Sequence, residues 1–256
     1  MNAAEATADS PQWMMRSPAV VVDRVSKIYP TGARALDDVS VTVARGTFVA
    51  VLGPPGAGKS TLVHCAAGLD APTSGSTRVD GVEIGALSEI RRAELRRLRV
   101  GFLFAAHNLM PAMSVADNIT LPLRLAGTAP DHDWVRALAE RVGLAGRLAH
   151  RPVELSGVEQ WRVALARAVV ARPAVVFADE PTGALHPREA GAAVGLLREV
   201  VDGLGQAVVL ATRDAAVAAP ADRVLLMAGG RVADTVEAPT TAAELARRVT
   251  ALAPGR

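Results

Sequence analysis

Phe48-Val49-Ala50-Val51-Leu52 runs directly into Gly53-Pro54-Pro55-Gly56-Ala57-Gly58-Lys59-Ser60-Thr61, and then into Leu62, Cys65, Ala66 and Leu69 at helical spacing. An apolar strand feeding a glycine-rich turn and then a helix aims backbone N–H groups and a helix N-terminus at one anion. Lys59 is then placed for the β- and γ-phosphates and Ser60 for Mg²⁺, so residues 53–61 predict a nucleoside triphosphate site. The same stretch sets the fold class as α/β, built on a phosphate-loop core.

Composition narrows the alternatives. Half of the 256 residues are hydrophobic, but Arg, Asp, Glu, Gly or Pro breaks every apolar run well short of the roughly 18 residues that a membrane helix needs. No membrane-spanning segment is expected. The first 18 residues lack the basic start and apolar middle of a secretory signal and read as a disordered tail. Cys65 is the sole cysteine, which excludes a disulfide framework and favours a reducing, cytosolic compartment. With net charge +2 and only 3% aromatic residues, base-stacking platforms are scarce and nucleic acid is not an expected partner. The arginine cluster from Arg91 to Arg99 reads as a solvated helix face and is assigned no site.

Around the loop, Val20–Val22 and Val39–Val43 predict strands, which gives a β-rich N-terminal part. Ser114–Ala168 is mostly helical in pattern, with breaks expected at Pro122, Gly127, Pro130, Gly143 and Pro152. That stretch predicts an inserted helical subdomain at about residues 105–170. Short apolar strands at Ala174–Ala178 and Ala207–Ala211 flank a helix over Pro187–Gly203, and this alternation implies a parallel sheet. Val224–Met227, Gly229-Gly230 and Arg231–Ala233 predict a hairpin. The organisation expected is a tail at 1–18, one nucleotide-binding domain at 19–240, and a C-terminal helix and tail at 241–256.

A phosphate loop needs an acidic partner at the end of a nearby strand. Asp179-Glu180 closes the only predicted strand that ends in two carboxylates. Asp179 would hold Mg²⁺, directly or through water, and Glu180 would orient and deprotonate the attacking water.

Leu155-Ser156-Gly157 stands just before the long helical pattern to Val170, and the whole stretch resembles the signature of ATP-binding cassette (ABC) proteins. Further matches are Ala67–Gly75 (AGLDAPTSG), Gly101–Phe104 (GFLF), the run from His107 (HNLMPAMSVADNITLPL) and Phe177–Leu185 (FADEPTGAL). Together they look most like the branch that powers lipoprotein-release, macrolide-type and cell-division-type permeases. The resemblance implies ATP with Mg²⁺ as the ligand and a dimer of cassettes, homo- or hetero-, on a separate integral-membrane permease. It further implies a cytoplasmic location, peripheral on the inner face of the plasma membrane. It also implies roles for single residues. Tyr29 would stack on adenine, and Ser156 and Gly157 would bind the γ-phosphate held by the opposite subunit.

The departures from the family pattern are as specific as the matches. Ala105 replaces a glutamine that contacts Mg²⁺ and water. Val158 replaces the second signature glycine, and its branched Cβ obstructs close approach to a phosphate. His186 replaces an aspartate, and Arg213 stands in the place of the switch histidine. A guanidinium grips a γ-phosphate but cannot accept a hydrogen bond or shuttle a proton. Two functions follow: a transport motor in which Lys59 and Glu180 support slowed hydrolysis, or an ATP-dependent binding module whose hydrolysis is impaired. One cassette without a coiled-coil insertion argues against a soluble DNA-repair role. His64, His107, His132 and His150 show no metal-ligand spacing and read as surface or packing residues.

Overall fold

In the computed structural model, residues 17–252 are described. The chain runs β1 (Val20–Ile28), β2 (Arg34–Val43), β3 (Phe48–Leu52), α1 (Lys59–Ala66), β4 (Ser74–Val79), β5 (Val82–Glu83), α2 (Glu89–Arg99) and β6 (Val100–Phe104). It continues with α3 (Val115–Leu125), α4 (His132–Arg141), α5 (Gly157–Val169), β7 (Val175–Asp179), α6 (Pro187–Leu204) and β8 (Ala207–Thr212). The last elements are α7 (Ala215–Ala218), β9 (Arg223–Ala228), β10 (Arg231–Glu237) and α8 (Ala242–Leu252). The expected tail lies outside the described residues except for Ser17 and Pro18.

A six-stranded sheet in the order β10-β9-β3-β8-β7-β6 forms the centre. Its five strands from β9 to β6 are parallel, and β10 closes one edge as the antiparallel arm of the expected hairpin. Because side chains alternate across a strand, each central strand feeds two cores. Phe48, Ala50 and Leu52 face a core built with α3 to α8, while Val49 and Val51 face a second core. That second core is covered by α1, by Leu95 of α2 and by a four-stranded antiparallel sheet in the order β2-β1-β4-β5.

Between β6 and β7 lie α3, α4 and α5, where the helical pattern placed them. Val115, Ile119, Val135, Leu138 and Trp161 belong to the same buried cluster as Leu52, Val208 and Leu226, so these helices share a core with the sheet. One sequence expectation needs correction. Pro122 does not break α3, which runs on to Leu125. A proline removes one N–H and the bond it would make, and the helix has only three residues left to run, so the loss falls in its last turn. Arg91, Arg97 and Arg99 of α2 are exposed, as a solvated helix face requires, and some of the α2 arginines also reach neighbouring elements. Arg96 donates to the Gly68 carbonyl at 2.6 Å, Arg97 to the Leu125 carbonyl at 2.8 Å, and Arg99 pairs with Asp80 at 2.8 Å. Their stems and heads fasten α2 to its neighbours.

Candidate functional site

Register gathers the predicted chemistry on one edge. Leu52 pairs with Thr212, Ala211 with Asp179, and Asp179 with Phe104, so β3, β8, β7 and β6 end side by side. The residues that follow those ends are Gly53, Arg213, Glu180 and Ala105. In open α/β sheets this carboxyl edge is where ligands bind.

The loop between β3 and α1 is tightly constrained. Gly58 has φ +98°, and a Cβ there would lie 2.3 Å from the Ala35 carbonyl oxygen. Gly53 is equally restricted, since its Cβ would meet the Met227 carbonyl oxygen at 2.4 Å. Pro54, Pro55, Gly56 and Ala57 span the turn between them, and the Ala57 N–H donates to the Pro54 carbonyl at 3.2 Å. Gly230 donates its N–H to the Ala57 carbonyl at 3.2 Å and accepts from the Asp37 N–H at 2.9 Å, so the β9–β10 turn buttresses the loop. Sequence reasoning identified that hairpin without seeing this use for it.

Lys59 is buried and donates from Nζ to the Pro54 carbonyl at 3.0 Å. Burial pushes its pKa below the usual lysine value. The carboxylates of Glu180 and Asp179 oppose that shift, and Arg213 adds to it. Charged groups that follow or end β7 and β8 thus act on Lys59 across the edge. Ser60 Oγ donates to Asp179 Oδ1 at 2.9 Å, bringing the two predicted metal-binding groups together. Thr61 Oγ1 lies 3.4 Å from the Tyr29 hydroxyl, which also donates to Asp70 Oδ2 at 3.3 Å. Lys27 pairs with that carboxylate at 2.6 Å and sits 5.1 Å from the Tyr29 ring centroid. The tyrosine is therefore fixed beside the first turn of α1.

His64, which the sequence assigns no site, also reaches this edge. Its Nε2 lies 3.5 Å from Asp179 Oδ2, and the nearby carboxylate raises its pKa. The available signal was its spacing of four from Ser60, which puts both on one face of a helix. His107, with φ +52°, is held by its backbone. Arg167 donates to the carbonyls of His107 at 2.6 Å and Asn108 at 2.7 Å, just beyond Ala105.

Glu180 and Arg213 line one cleft of about 350 Å³ together with Thr182, Leu185, Thr212 and Asp214. Arg213 is exposed there, between the end of β8 and the start of α7. Ser156 and Gly157 do not line this cleft. They stand at the exposed N-terminus of α5, where Ser156 Oγ accepts from the Glu159 N–H at 3.3 Å and Glu159 Oε2 accepts from the Ser156 N–H at 2.9 Å. Val158 follows, half-buried, within that first turn. His186 occupies the N-cap of α6. Its Nδ1 accepts from the Arg188 N–H at 3.4 Å, and its own N–H donates to Glu189 Oε2 at 3.0 Å. The helix start that an aspartate would make is retained.

Residues 36–183 match the protein family described as ABC transporter. The chain belongs to the ABC transporter family. It is 46% identical over 221 residues to the lipoprotein-releasing system ATP-binding protein LolD of Bordetella avium, covering 84% of this chain and 95% of that protein. It is 40% identical over 223 residues to the macrolide export ATP-binding/permease protein MacB of Burkholderia pseudomallei, covering 85% of this chain and 34% of MacB. Among solved structures, the dimeric bacterial ABC transporter cassette MJ0796 superposes with a TM-score of 0.77 at 32% identity, over 85% of this chain and 98% of that one. The same cassette is known as a dimer in a post-hydrolysis state bound to ADP and Pi. This ABC chain is thus an ATP-binding, ATP-hydrolysing subunit with the mixed α/β cassette fold.

Proposed function

We propose that this subunit binds Mg-ATP at residues 53–61 and, paired with a second cassette, uses slowed hydrolysis to drive a separate integral-membrane permease. The observation that supports the reading is the common strand edge, where Lys59 is buried, Ser60 bonds Asp179, and Glu180 and Arg213 line one cleft. Lys59 would hold the β- and γ-phosphates and Tyr29 the adenine. Hydroxyl and carboxylate oxygens 2.9 Å apart suit Mg²⁺, a hard cation that takes one or two protein oxygens and completes its shell with phosphate and water. Ser60 and Asp179 would hold it, and it would neutralise charge on the phosphates. Glu180 would take the proton of the attacking water.

Ser156 and Gly157, outside the Glu180 cleft, would act on nucleotide held by the second cassette. The MJ0796 dimer supports a paired assembly. LolD of Bordetella avium is named as the ATP-binding protein of a lipoprotein-releasing system, and the match spans 95% of it, which supports a permease carried on another chain. Among the described residues no helix is long and apolar enough to cross a membrane. A peripheral place on the cytoplasmic face follows from such a partnership. The domain at 19–240, with its helical part at about 105–170, would then be the whole motor unit.

The exposed guanidinium of Arg213 in the same cleft as Glu180 favours slowed turnover, because a fixed cation stabilises the triphosphate as well as the transition state. Ala105 and Val158 add to that effect. His186 keeps its helix cap and lacks only the permanent negative charge.

Equilibrium titration of Mg-ATP tests the loop. Lys59→Ala is expected to weaken affinity about ten- to a hundredfold, the worth of one charge-assisted contact. Equal affinity in both proteins contradicts the assignment. Steady-state ATPase activity with and without the co-purified permease separates a motor from a binding module, since only a motor is stimulated by the permease.

A further inference from the structure

We propose that Trp161 is a positioning residue for Glu180, linking the N-terminus of α5 to the turn that carries the carboxylate. The inference rests on the role proposed above for Glu180. Trp161 has no exposed surface, and its Nε1–H donates to the carbonyl of Pro181, the residue after Glu180, at 2.9 Å.

That turn needs support. Glu180 has φ +44°, a left-handed conformation that is unfavourable for a residue with a Cβ and persists only where neighbours impose it. Two backbone bonds do part of this, from the Glu180 N–H to the Ala211 carbonyl at 2.9 Å and from the Gly183 N–H to the Glu180 carbonyl at 3.0 Å. Both tie the turn to itself or to β8. The indole bond ties it to a different element, and it is buried, so no water replaces it when it is lost.

Trp161 lies five residues after Ser156 and four after Gly157 on the same helix. A continuous helix is stiff over so short a span. A displacement of the α5 N-terminus, such as nucleotide bound between two cassettes would cause, therefore reaches the Pro181 carbonyl and shifts Glu180. Trp161 touches neither nucleotide nor water in this account.

The test compares wild type, Trp161→Phe and a variant with 3-benzothienylalanine at position 161, an isostere that replaces only the indole N–H by sulfur. Glu180→Gln is the control. Single-turnover hydrolysis of Mg-ATP is read beside ATP affinity and amide hydrogen exchange over residues 180–185. The expected result for the isostere is a rate about five- to tenfold lower, affinity within twofold of wild type, and loss of the ATP-dependent change in exchange. Wild-type rate and exchange in the isostere overturn the proposal. So does loss of affinity in step with rate, because the bond would then hold the fold rather than Glu180. The isostere preserves the core volume, so a Trp161→Phe protein that fails to fold leaves the comparison intact. Should Glu180→Gln hydrolyse like wild type, the role of Glu180 itself fails, independently of what the isostere does.

Discussion

Lys59, Ser60, Asp179 and Glu180 were singled out as candidates because local spacing points to them: a loop of fixed length and a strand ending in two carboxylates. His64 was not, because its partner Asp179 arrives from β7, far along the chain, and only the sheet order brings it within 3.5 Å. Cys65, the next residue, turns inward instead. It has no exposed surface, and burial pushes its thiol up to about 11. Only a trace of thiolate exists at pH 8, and reagents attack thiolate. Iodoacetamide is therefore expected to leave Cys65 unmodified in the folded protein and to alkylate it in denaturant, with Mg-ATP slowing the reaction further because ligand binds only the folded state. Rapid alkylation of native protein, measured by intact mass, would contradict the packing of α1.

At the scale of elements, the start of α5 is exposed and rests on a local device. Ser156 and Glu159 cap each other, and Arg147 Nε adds a contact to Glu159 Oε1 at 3.1 Å. The bond from the Ser156 backbone N–H, with that from its hydroxyl, holds the Glu159 pKa below 4.5. A depressed carboxyl pKa contributes stability that is present above the unfolded value and is lost as pH falls through the folded one. Glu159→Ala should cost about 1 kcal/mol at pH 7, the worth of a helix cap. The difference in Tm from wild type should shrink as pH drops below 4.5. A variant as stable as wild type at pH 7 would show that the cap carries no weight. The helix start after Leu155-Ser156-Gly157 was legible, as was the alternation of strands and helices, but the cap made by Glu159 was not read. The course of α3 through Pro122 was not, since a proline has a different cost in a last turn than in a helix middle. The contacts of Arg96 and Arg97 were not legible either, because the carbonyls they meet, Gly68 and Leu125, belong to other elements.

For the whole molecule, strand order is what the sequence left open. Periodicity showed that β3, β7 and β8 exist and are parallel, but not that β8 lies between the other two, which sets Arg213 beside Glu180. Family resemblance supplied the identity of the four departures, and the fold shows that they are not equivalent. His186 still caps α6, whereas Ala105 and Arg213 follow strands at the carboxyl edge of the sheet and Val158 lies half-buried in the first turn of α5. Residues acting on one event combine non-additively, so single reversions recover less than the set. The central claim is slowed but real hydrolysis. The measurement that tests it is the ATPase rate of the protein co-purified with its permease, compared with Glu180→Gln and with the combined Ala105→Gln, Val158→Gly, His186→Asp and Arg213→His variant. The account predicts wild type above Glu180→Gln and the combined variant at least tenfold above wild type, with Arg213→His alone giving a smaller gain. A wild-type rate equal to that of Glu180→Gln, or a combined variant no faster than wild type, would contradict it.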